Sequence, residues 1–557
     1  MKDNNLEKYS KDDLLFVPLG GSGEIGMNCN LYHYKNQWIM VDLGITFKDE
    51  RAESAEVIMP DIEFIVKRKE KLSAIILTHA HEDHIGAMPY LYEQLGDVPI
   101  YTTSFTASVL SRKFNNRNDF CERINLLNYN KKITIGSFTV EVLALTHSIP
   151  EPNAVIIKTE KGNIFHTGDW KIDPIPLVGD AINEEKFLKI KKEGVHALVC
   201  DSTNVFNVTE SGSENDVRNN FKEVFSKNKK GKIIVTCFAS NIARLETIGY
   251  VADIFDRSCV LVGRSLKKIY ESAKENNYLN SVPDFLSEEE GKVLPDENTV
   301  LICTGSQGES RAALYRLVNG NNPNFLLTSN DLIMFSSREI PGNEKQINNL
   351  KNQLVKTGCK YIDHNNALIH VSGHPSKPEL KKMYSWVDPN LLIPVHGEYQ
   401  HLSEHARFAK ESGVGETILV ENGDMVLLNK NGNSKIINRV YTSRKALKGN
   451  RILPIDKKIL NIIKTINNQG HILVILILNV EDVLIVKPII SSLTILDEDD
   501  KQEKKDFIRR IEEFFLEIIQ NSLNDNILEE QLIKKIRNFT KNKFGIKPII
   551  EIKIIRV

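Results

Sequence analysis

The densest group of reactive side chains in this sequence is residues 78–84, which read Thr-His-Ala-His-Glu-Asp-His. Imidazoles and carboxylates at such spacing are typical ligands of zinc and similar divalent ions. His79 and His81 lie two residues apart, so in an extended segment they point to the same side, whereas a turn lets Asp83 and His84 serve a second ion. The alternative is a histidine-rich surface loop, but such clustering is unusual when no ligand satisfies it. The segment therefore predicts a metal site.

The residues before the cluster predict where it lies in the fold. Residues 74–77 are an apolar run typical of a buried strand, so the cluster lies on a loop at the carboxyl end of that strand, where open α/β sheets place their ligands. The pattern His-x-His-x-Asp-His resembles that of the metallo-β-lactamase superfamily. The resemblance implies that His79 and His81 bind one zinc ion and that Asp83 and His84 bind the other.

Three further polar residues follow strand-like apolar runs, as the remaining positions of such a site require. His147 follows residues 140–145, Asp169 follows 163–168 and Asp42 follows 38–41. We expect His147 to be a ligand, Asp169 to bridge two zinc ions, and Asp42 to orient a ligand histidine. Any one of these residues, taken alone, would be interpreted as structural. Their assignment to the metal site therefore depends on all three occurring together with the cluster at 79–84. Two zinc ions roughly 3.5–4 Å apart convert a shared water into a hydroxide nucleophile near neutral pH.

Bulk composition limits the class of protein. At 557 residues the chain predicts about three to four domains. The first thirteen residues lack the apolar core of a secretory signal, and the longest strongly apolar run, 472–478, is shorter than the roughly 20 residues of a membrane span. Seven scattered cysteines, never in a C-x-x-C pair, argue against disulfides and thiolate zinc sites. A reduced cytoplasm fits best, and the net charge of −1 gives no global nucleic-acid signature.

Motifs in the second half of the chain narrow the function. Residues 198–204 (Leu-Val-Cys-Asp-Ser-Thr-Asn), 370–374 (His-Val-Ser-Gly-His) and 393–398 (Ile-Pro-Val-His-Gly-Glu) resemble motifs A, B and C of the β-CASP nucleases. Residues 18–26, 238–241, 304–309 and 340–344 extend the likeness to the ribonuclease J family. The resemblance covers about residues 14–450 and is weaker over the last hundred residues.

Carried over residue by residue, the resemblance implies a role for each matching position. It makes His396 the remaining metal ligand and gives Asp83 a catalytic part beside its metal. His374 would protonate the leaving 3′-oxygen, with Asp201 fixing its tautomer and raising its basicity. His370, Ser372 and the backbone at Gly373 would hold a phosphate of the RNA. Further contacts to phosphates or to the 5′ end are expected from Ser306, Ser336, Ser337 and Asn343.

The order of these motifs predicts an α/β protein: a metallo-β-lactamase αββα core, an inserted β-CASP α/β domain and a small C-terminal α/β domain. We expect the core to comprise residues 1–210 and 366–450, the insertion 211–365, a linker 451–465, and the C-terminal domain 466–557. Several basic residues of the insertion could line an RNA channel, and an ordinary solvent-exposed surface is an equally good interpretation of them. They are Arg244, Arg264, Lys267, Lys268 and Arg311. By resemblance the C-terminal domain assists dimer formation, although a partner-binding module fits equally.

The resemblance implies a cytoplasmic ribonuclease with two zinc ions per subunit, or manganese in their place. Its expected activity is 5′-to-3′ exonucleolytic with some endonucleolytic cleavage, in mRNA decay and rRNA maturation. Expected partners are single-stranded RNA, preferably 5′-monophosphorylated, a second copy in a homodimer or homotetramer, and an RNA-degradation complex, with no membrane. Two rival hypotheses are a hydrolase of small thioesters or lactams, which needs neither motifs A to C nor an insertion, and a noncatalytic RNA-binding scaffold.

Overall fold

The computed structural model describes residues 9–47, 55–129, 131–340, 342–430, 432–455, 458–497, 499–520 and 524–557. Pro341 of the predicted 340–344 motif lies outside these ranges. Two compact units are formed, the larger within residues 1–46 and 59–443 and the smaller within 47–58 and 444–557.

The first segment of the larger unit alternates short apolar strands with helices. Its strands are rich in β-branched and aromatic residues, which suit a pleated buried surface. The elements in chain order are β1 Leu15–Gly20, β2 Ser22–Gly23, β3 Cys29–Tyr34, β4 Gln37–Val41, β5 Val57–Pro60, α1 Glu63–Val66, a 3-10 turn Lys69–Lys71, β6 Leu72–Ile76, α2 Glu82–Ile85, α3 Met88–Leu95, β7 Ile100–Thr102, α4 Ser104–Lys113, α5 Asn118–Cys121, β8 Ile124–Leu126, β9 Ile133–Ile135, β10 Phe138–Ala144, β11 Asn153–Thr159, β12 Gly162–His166, α6 Glu184–Glu193 and β13 Ala197–Asp201.

The inserted segment forms a separate sheet. Its elements are α7 Glu214–Lys227, β14 Ile233–Thr236, α8 Ile242–Ile254, β15 Ser258–Val262, α9 Arg264–Glu275, α10 Glu288–Gly291, a 3-10 turn Asp296–Asn298, β16 Thr299–Cys303, α11 Ala313–Val318, β17 Leu332–Phe335, α12 Glu344–Lys356 and β18 Lys360–Ile362. The strands are all parallel, in the order β15-β16-β14-β17-β18. Four of them, β14 to β17, are predominantly apolar and buried. The fifth, β18, is short and partly exposed, so it carries no apolar signal.

The chain then returns to the core. The returning elements are α13 Lys377–Val387, β19 Leu391–Val395, β20 Gly397–Glu398, α14 Tyr399–Glu411, β21 Glu416–Thr417, β22 Asp424–Leu427 and β23 Lys435–Arg439. β19 pairs in parallel with β13, and β22 pairs with β1, so this segment completes both sheets of the core.

Those two sheets are stacked face to face. One has eight strands in the order β23-β22-β1-β3-β4-β6-β7-β8, and the other has seven in the order β21-β19-β13-β12-β11-β10-β9. Side chains from both inner faces, including Phe16, Ile39, Ile164 and Ile393, form one buried core. The outer face of the seven-stranded sheet packs on helices through residues such as Trp386. The predicted αββα core with an inserted α/β domain is confirmed.

The smaller unit has its own sheet and core. Its elements are β24 Arg444–Lys448, β25 Arg451–Pro454, α15 Lys458–Gln469, β26 His471–Leu478, β27 Ile489–Leu493, α16 Lys501–Ile519, α17 Asp525–Phe544 and β28 Ile549–Arg556. β26 is the central strand, antiparallel to β27 and parallel to β28. Of all helices in the described ranges, including the long α16 and α17, none is long and apolar enough to cross a membrane.

The segment predicted as a linker, 451–465, contains regular structure. β25 pairs with β24, and the first turns of α15 fall within the same segment. The basic residues at and just before its start, with few apolar residues among them, had suggested an unpaired connection. However, a two-stranded ladder needs backbone hydrogen bonds rather than apolar side chains, so charged residues can form it.

The core of the smaller unit gives a stability prediction. Phe515 on α16 is 1% exposed within this core, whereas the adjacent Leu516 is 60% exposed. We expect Phe515→Ala to cost about 3–5 kcal/mol of unfolding free energy, because it leaves a cavity. Leu516→Ala should change it by less than about 0.5 kcal/mol. Amide hydrogen exchange of β26 in the full chain measures the difference, and equal exchange in both variants would contradict this core.

Candidate metal centre and active site

The predicted ligands converge because the strands that carry them end at one edge of the stacked sheets. β4 and β6 are parallel neighbours in one sheet, and β12, β13 and β19 are parallel neighbours in the other. Parallel strands bring their carboxyl ends together. Asp42 follows β4, residues 79–84 follow β6, His147 follows β10, Asp169 follows β12, Asp201 ends β13 and His396 follows β19.

A first group of donor atoms comprises three imidazoles and one carboxylate. Nδ1 of His81 lies 3.1 Å from Nε2 of His79 and 3.1 Å from Nε2 of His147. Oδ2 of Asp169 lies 3.8 Å from the same two Nε2 atoms. Three imidazoles with a fourth oxygen donor match a tetrahedral zinc site.

A second group lies on the other side of Asp169. Its Oδ1 is 3.2 Å from Nε2 of His84. Oδ2 of Asp83 is 3.7 Å from that nitrogen and 3.2 Å from Nε2 of His396. These four residues again present one donor atom each within 4.8 Å of one another.

The two oxygens of Asp169 thus face different ligand groups, as expected of a carboxylate that bridges two ions. The structure brings together every residue predicted to bind metal. Asp169, Asp201, His374 and His396 form a third group, whose donor atoms also lie within 4.8 Å of one another. His374 is therefore a candidate ligand as well as a candidate proton donor. The metal retained by a variant that lacks His374 distinguishes the two roles.

In three of the candidate ligand histidines one ring nitrogen is held by a group outside the donor set, which fixes the orientation of the ring. Nδ1 of His84 lies 2.7 Å from Oδ2 of Asp42, Nδ1 of His147 donates to the carbonyl of Gly373, and Nδ1 of His396 lies 3.1 Å from the hydroxyl oxygen of Thr203. Among the described residues, the buried Nε2 of His396 and Oδ1 of Asp169 have no hydrogen-bond partner. The donor set therefore fits divalent ions.

Electrostatics favour the ligating forms in the first group. Burial lowers the pKa of His79 and His147 well below the ordinary value, and it lowers that of His81 to about 4. These imidazoles are neutral at pH 7, as metal ligation requires.

The second group instead favours positive charge. Burial alone would lower the pKa of His84 and His396, but the carboxylates around them, Asp169 foremost, raise both pKa values well above the ordinary one. Burial would likewise raise the pKa of Asp169, which these histidines hold well below its usual range. Such a group suits a cation that displaces protons on binding.

Two glycines allow the close approaches on which this geometry depends. A Cβ on Gly44 would lie 1.7 Å from the carbonyl oxygen of Asp83, and one on Gly373 would lie 2.6 Å from Cε1 of His147. Asp42 and His396 also have left-handed backbone, with φ of 64° and 54°, which is costly for residues other than glycine. The surrounding packing must hold both in place.

The glycine-rich segment 18–26 positions His396. The carbonyl of Gly21 accepts a 2.6 Å hydrogen bond from the backbone N–H of His396, and β2 pairs with β20 immediately after it. Asn28, which the sequence analysis missed, places its side-chain nitrogen 3.1 Å from Nε2 of His84. In the sequence, only the preceding glycine-rich segment 18–26 indicated that a residue near position 28 could approach the site.

His374 and Asp201 form the expected pair. Nδ1 of His374 lies 2.8 Å from Oδ2 of Asp201, whose other oxygen accepts from the N–H of Thr203. Burial would lower the pKa of His374, but Asp201 and Asp169 more than offset it and raise that pKa. With Nδ1 engaged, Nε2 is the nitrogen that can reach a substrate. The side chain is 24% exposed, and that of Asp83 is 31% exposed, so both lie on the open side of the centre.

The loop before His374 holds the residues predicted to bind phosphate. Ser372 accepts a hydrogen bond from the N–H of His374, so its hydroxyl shapes this loop. His370 is partly exposed, and among the described residues its buried Nδ1 has no partner. Burial first, then the charges of Arg244, His364, Lys171 and Arg338, hold the pKa of His370 well below its ordinary value. Basic side chains therefore lie near this histidine, although Arg244 and Lys171 are each paired with a buried carboxylate.

Gln307 organises the remaining predicted phosphate contacts. Its Nε2 donates to the Ser337 hydroxyl at 3.3 Å and lies 3.5 Å from the Ser306 hydroxyl, and its Oε1 accepts from Asn343 Nδ2 at 3.2 Å. The Ser336 hydroxyl, by contrast, donates to the carbonyl of Ile369. The structure thus brings Ser306, Ser337 and Asn343 together around a buried amide. Gln307 lies in a segment that resembles the family, but no sequence pattern distinguished it from its neighbours.

Arg244 is not on a channel surface. It is fully buried and pairs with Glu214 through Nη2 at 3.1 Å, so its charge serves packing within the insertion. Arg264, Lys267, Lys268 and Arg311 are exposed. His166 is a satisfied core histidine, bonded through Nδ1 to the hydroxyl of Tyr32.

Three family models match the chain. The model described as "Beta-lactamase superfamily domain" matches residues 37–186, "Ribonuclease J, beta-CASP domain" matches 230–354, and "Zn-dependent metallo-hydrolase RNA specificity domain" matches 364–420. They follow one another along the larger unit in the order that its architecture requires.

Similar proteins include the ribonuclease J of Sinorhizobium meliloti, 37% identical over 98% of this chain and 98% of that protein. Ribonuclease J 1 of Streptococcus pyogenes is 32% identical over 96% of each chain, and ribonuclease J of Helicobacter pylori is 31% identical over 96% of this chain and 77% of that one. A crystal structure of a protein of unknown function from Enterococcus faecalis, 17% identical, aligns with a TM-score of 0.52 over 75% of this chain and all of that one. The last likeness concerns the fold alone.

The ligand geometry gives a prediction about metal content. We expect His81→Ala to lower the metal retained after dialysis and to abolish activity, because His81 contacts both other imidazoles of the first group. Asp83→Ala should act in the same way on the second group. Elemental analysis of the purified proteins measures this. His471→Ala, in the smaller unit, is the matched control and should retain its metal, while full metal content in His81→Ala would contradict the assignment.

Proposed function

Because the chain belongs to the ribonuclease J family and is a metal-dependent ribonuclease, we propose that it hydrolyses RNA phosphodiesters at a centre of two zinc ions. The observation that carries this is Asp169, whose two oxygens face two separate ligand groups. We assign it 5′-to-3′ exonucleolytic and some endonucleolytic activity, in mRNA decay and rRNA maturation in the cytoplasm. Hydrolysis of small thioesters or lactams is set aside because the β-CASP and RNA-specificity models also match.

The first ion would be held by His79, His81 and His147, the second by Asp83, His84 and His396, and Asp169 would contribute to both sites. When bound, two such ions activate water as a nucleophile and stabilise negative charge on the phosphoryl oxygens. Oxygen and nitrogen donors also suit manganese, so the same residues accommodate it. Asp42 keeps the His84 ring in its ligating orientation through the contact to Nδ1.

His374 supplies the proton for the leaving group. As the bond from phosphorus to the 3′-oxygen breaks, Nε2 of His374 donates a proton to that oxygen, which leaves a 3′-hydroxyl on one fragment and a 5′-phosphate on the other. Asp201 holds the other ring nitrogen and stabilises the charged imidazolium before transfer. Asp169, whose Oδ2 is 3.8 Å from Nδ1, adds to that stabilisation.

The RNA is held by the loop that carries His374. His370, the Ser372 region and the backbone at Gly373 bind a phosphate close to the centre, and Ser306 and Asn343 extend the contacts toward the 5′ end. The buried Nδ1 of His370, which has no hydrogen-bond partner among the described residues, supports this role because it is available to a phosphate oxygen. The Gly373 backbone also contacts His147, which couples substrate position to metal position.

Self-association is proposed through the smaller unit. On the β27-β26-β28 sheet, Ile489 pairs with Ile475 and Ile477 pairs with Ile555, so these side chains share one face. Ile489, Leu493 and Ile555 are each about half exposed there. An apolar sheet face of this kind suits a second copy in a homodimer or homotetramer. Partners in an RNA-degradation complex would occupy other surfaces.

The role of His374 is testable apart from the metals. With a 5′-monophosphorylated single-stranded RNA, the wild-type protein should yield mononucleotides and some internal fragments on a sequencing gel. His374→Ala should slow cleavage about 10²-fold or more, the range for loss of a general acid, and keep its metal. Loss of metal together with activity would reassign His374 as a ligand. Asp201→Asn, which keeps the shape but not the charge, should slow cleavage with the metal retained.

The end of the substrate gives another prediction. The side chains of the expected 5′-end contacts Ser306, Ser337 and Asn343 are uncharged, so they offer little to neutralise the two additional phosphates of a triphosphate. We expect exonucleolytic decay to prefer 5′-monophosphorylated over 5′-triphosphorylated RNA, while internal cleavage depends less on the end. Rates on otherwise identical transcripts measure this. Equal processive rates would refute the pocket and leave the two-metal chemistry unaffected.

A further inference from the structure

The turn that follows β13 is attached directly to the candidate active site. The backbone N–H of Thr203 donates to Oδ1 of Asp201 at 2.8 Å, and the Thr203 hydroxyl donates to the carbonyl of His396 at 3.0 Å. Nδ2 of Asn204 lies 3.4 Å from the carbonyl oxygen of His374. The start of this turn therefore contacts both a candidate metal ligand and the candidate proton donor.

The end of the same turn is fixed as well, and it presents an aromatic ring to solvent. The N–H of Asn207 donates to the carbonyl of Asn204 at 3.0 Å, and the carbonyl of Asn207 accepts from the N–H of Lys377 at 3.0 Å. Val205 is fully buried, whereas the next residue, Phe206, is 53% exposed. A turn held at both ends therefore keeps Phe206 at the surface.

The ring of Phe206 contacts a second ring. Its centroid lies 5.1 Å from that of His401, in the first turn of α14, and the two planes are inclined by 64° in an edge arrangement. Burial lowers the pKa of His401, and the carboxylates of Glu398 and Asp201 act against that change, as His396 does not. Because the charges of the centre act on His401, the ring pair lies beside the centre.

The chemistry of the ring pair indicates what it can bind. Phe206 offers an aromatic face with no polar atom, so it suits another aromatic face rather than a charged group. Two rings provide far less area than the roughly 800 Å² per partner of a stable protein interface. They match the size of a single nucleobase, and proteins that bind single strands commonly stack bases on aromatic side chains.

We propose that Phe206, supported by the ring of His401, is a platform on which a base of the RNA stacks next to the cleaved bond. The inference rests on the proposed function, because RNA is the ligand. Every base has an aromatic face, so this contact binds RNA of any sequence. The turn is fixed before RNA arrives, so binding orders little additional structure.

The test compares two 5′-monophosphorylated RNAs of equal length, one of which lacks the bases of its first three nucleotides. Shortening of each 3′-labelled RNA is followed on a gel. On the ordinary RNA, Phe206→Ala should raise KM about tenfold or more, in the range for loss of one base–aromatic contact, with kcat unchanged. On the RNA without those bases, Phe206→Ala and the wild-type protein should have the same KM.

Further variants separate stacking from simple apolar contact. Phe206→Trp keeps an aromatic face and should keep the wild-type KM, whereas Phe206→Leu keeps apolar surface without a ring and should resemble Phe206→Ala. His401→Ala should raise KM on the ordinary RNA alone, and His401→Phe should restore it. The matched control is Leu188→Ala, which removes an apolar side chain that is 47% exposed on α6 and should leave both KM values unchanged.

An equal rise in KM on both RNAs in Phe206→Ala would overturn the proposal, because the effect would not depend on a base. A wild-type KM in Phe206→Leu would overturn it as well, since no aromatic face would then be needed. Absence of RNA cleavage by the wild-type protein would instead contradict the proposed function itself.

Discussion

The structure depends on one electrostatic constraint: a buried carboxylate, Asp169, lies between two groups of imidazoles and acidic side chains. Ionised groups out of water are strongly destabilising unless opposite charge balances them. In the proposed centre, cations on both sides of Asp169 would supply this balance, and the surrounding features hold the candidate ligands close to it. The ends of strands in both sheets supply the ligands, glycines let their backbones approach, and Asp42, Thr203 and Gly373 orient the rings.

The insertion is tied into this same centre. Two residues after Asp169, the buried Lys171 pairs with Asp173 at 3.0 Å and also donates to the carbonyl of Gly212 at the start of the insertion. Asp173 accepts from the hydroxyl of Ser213 and from the N–H of Glu214, the partner of Arg244. On the returning side, Glu379 accepts from the N–H of Ile172 and from Ser211. The segment that carries the bridging carboxylate therefore also fixes where the chain leaves and re-enters the core.

The sequence was most informative where chemistry and local pattern coincide. The cluster at 79–84, His147 and Asp169 each follow an apolar run, and a strand end at a sheet edge is a local property that sequence can reveal. His396, His374 and Asp201 needed the family resemblance, because a single histidine or aspartate after a strand is not distinctive. Gln307 and Arg244 could not be assigned, since their partners lie 30 to 125 residues away in sequence and depend on packing. Similarly, β25 and β18 are held by neighbours rather than by apolar patterns of their own.

The pairing of β13 with β19 has a consequence for synthesis. These adjacent strands are separated in sequence by the entire insertion, and the ligand His396 follows the second of them. A ribosome-bound chain that has produced only the first half contains one complete set of imidazoles but lacks the last ligand of the second set and the His374 loop. The proposed centre therefore cannot assemble until the insertion has been translated and β19 has joined its sheet. If the proposed ligands are correct, a nascent chain of this design is expected to stay inactive toward RNA, including its own messenger, until about seven-tenths of it has left the ribosome.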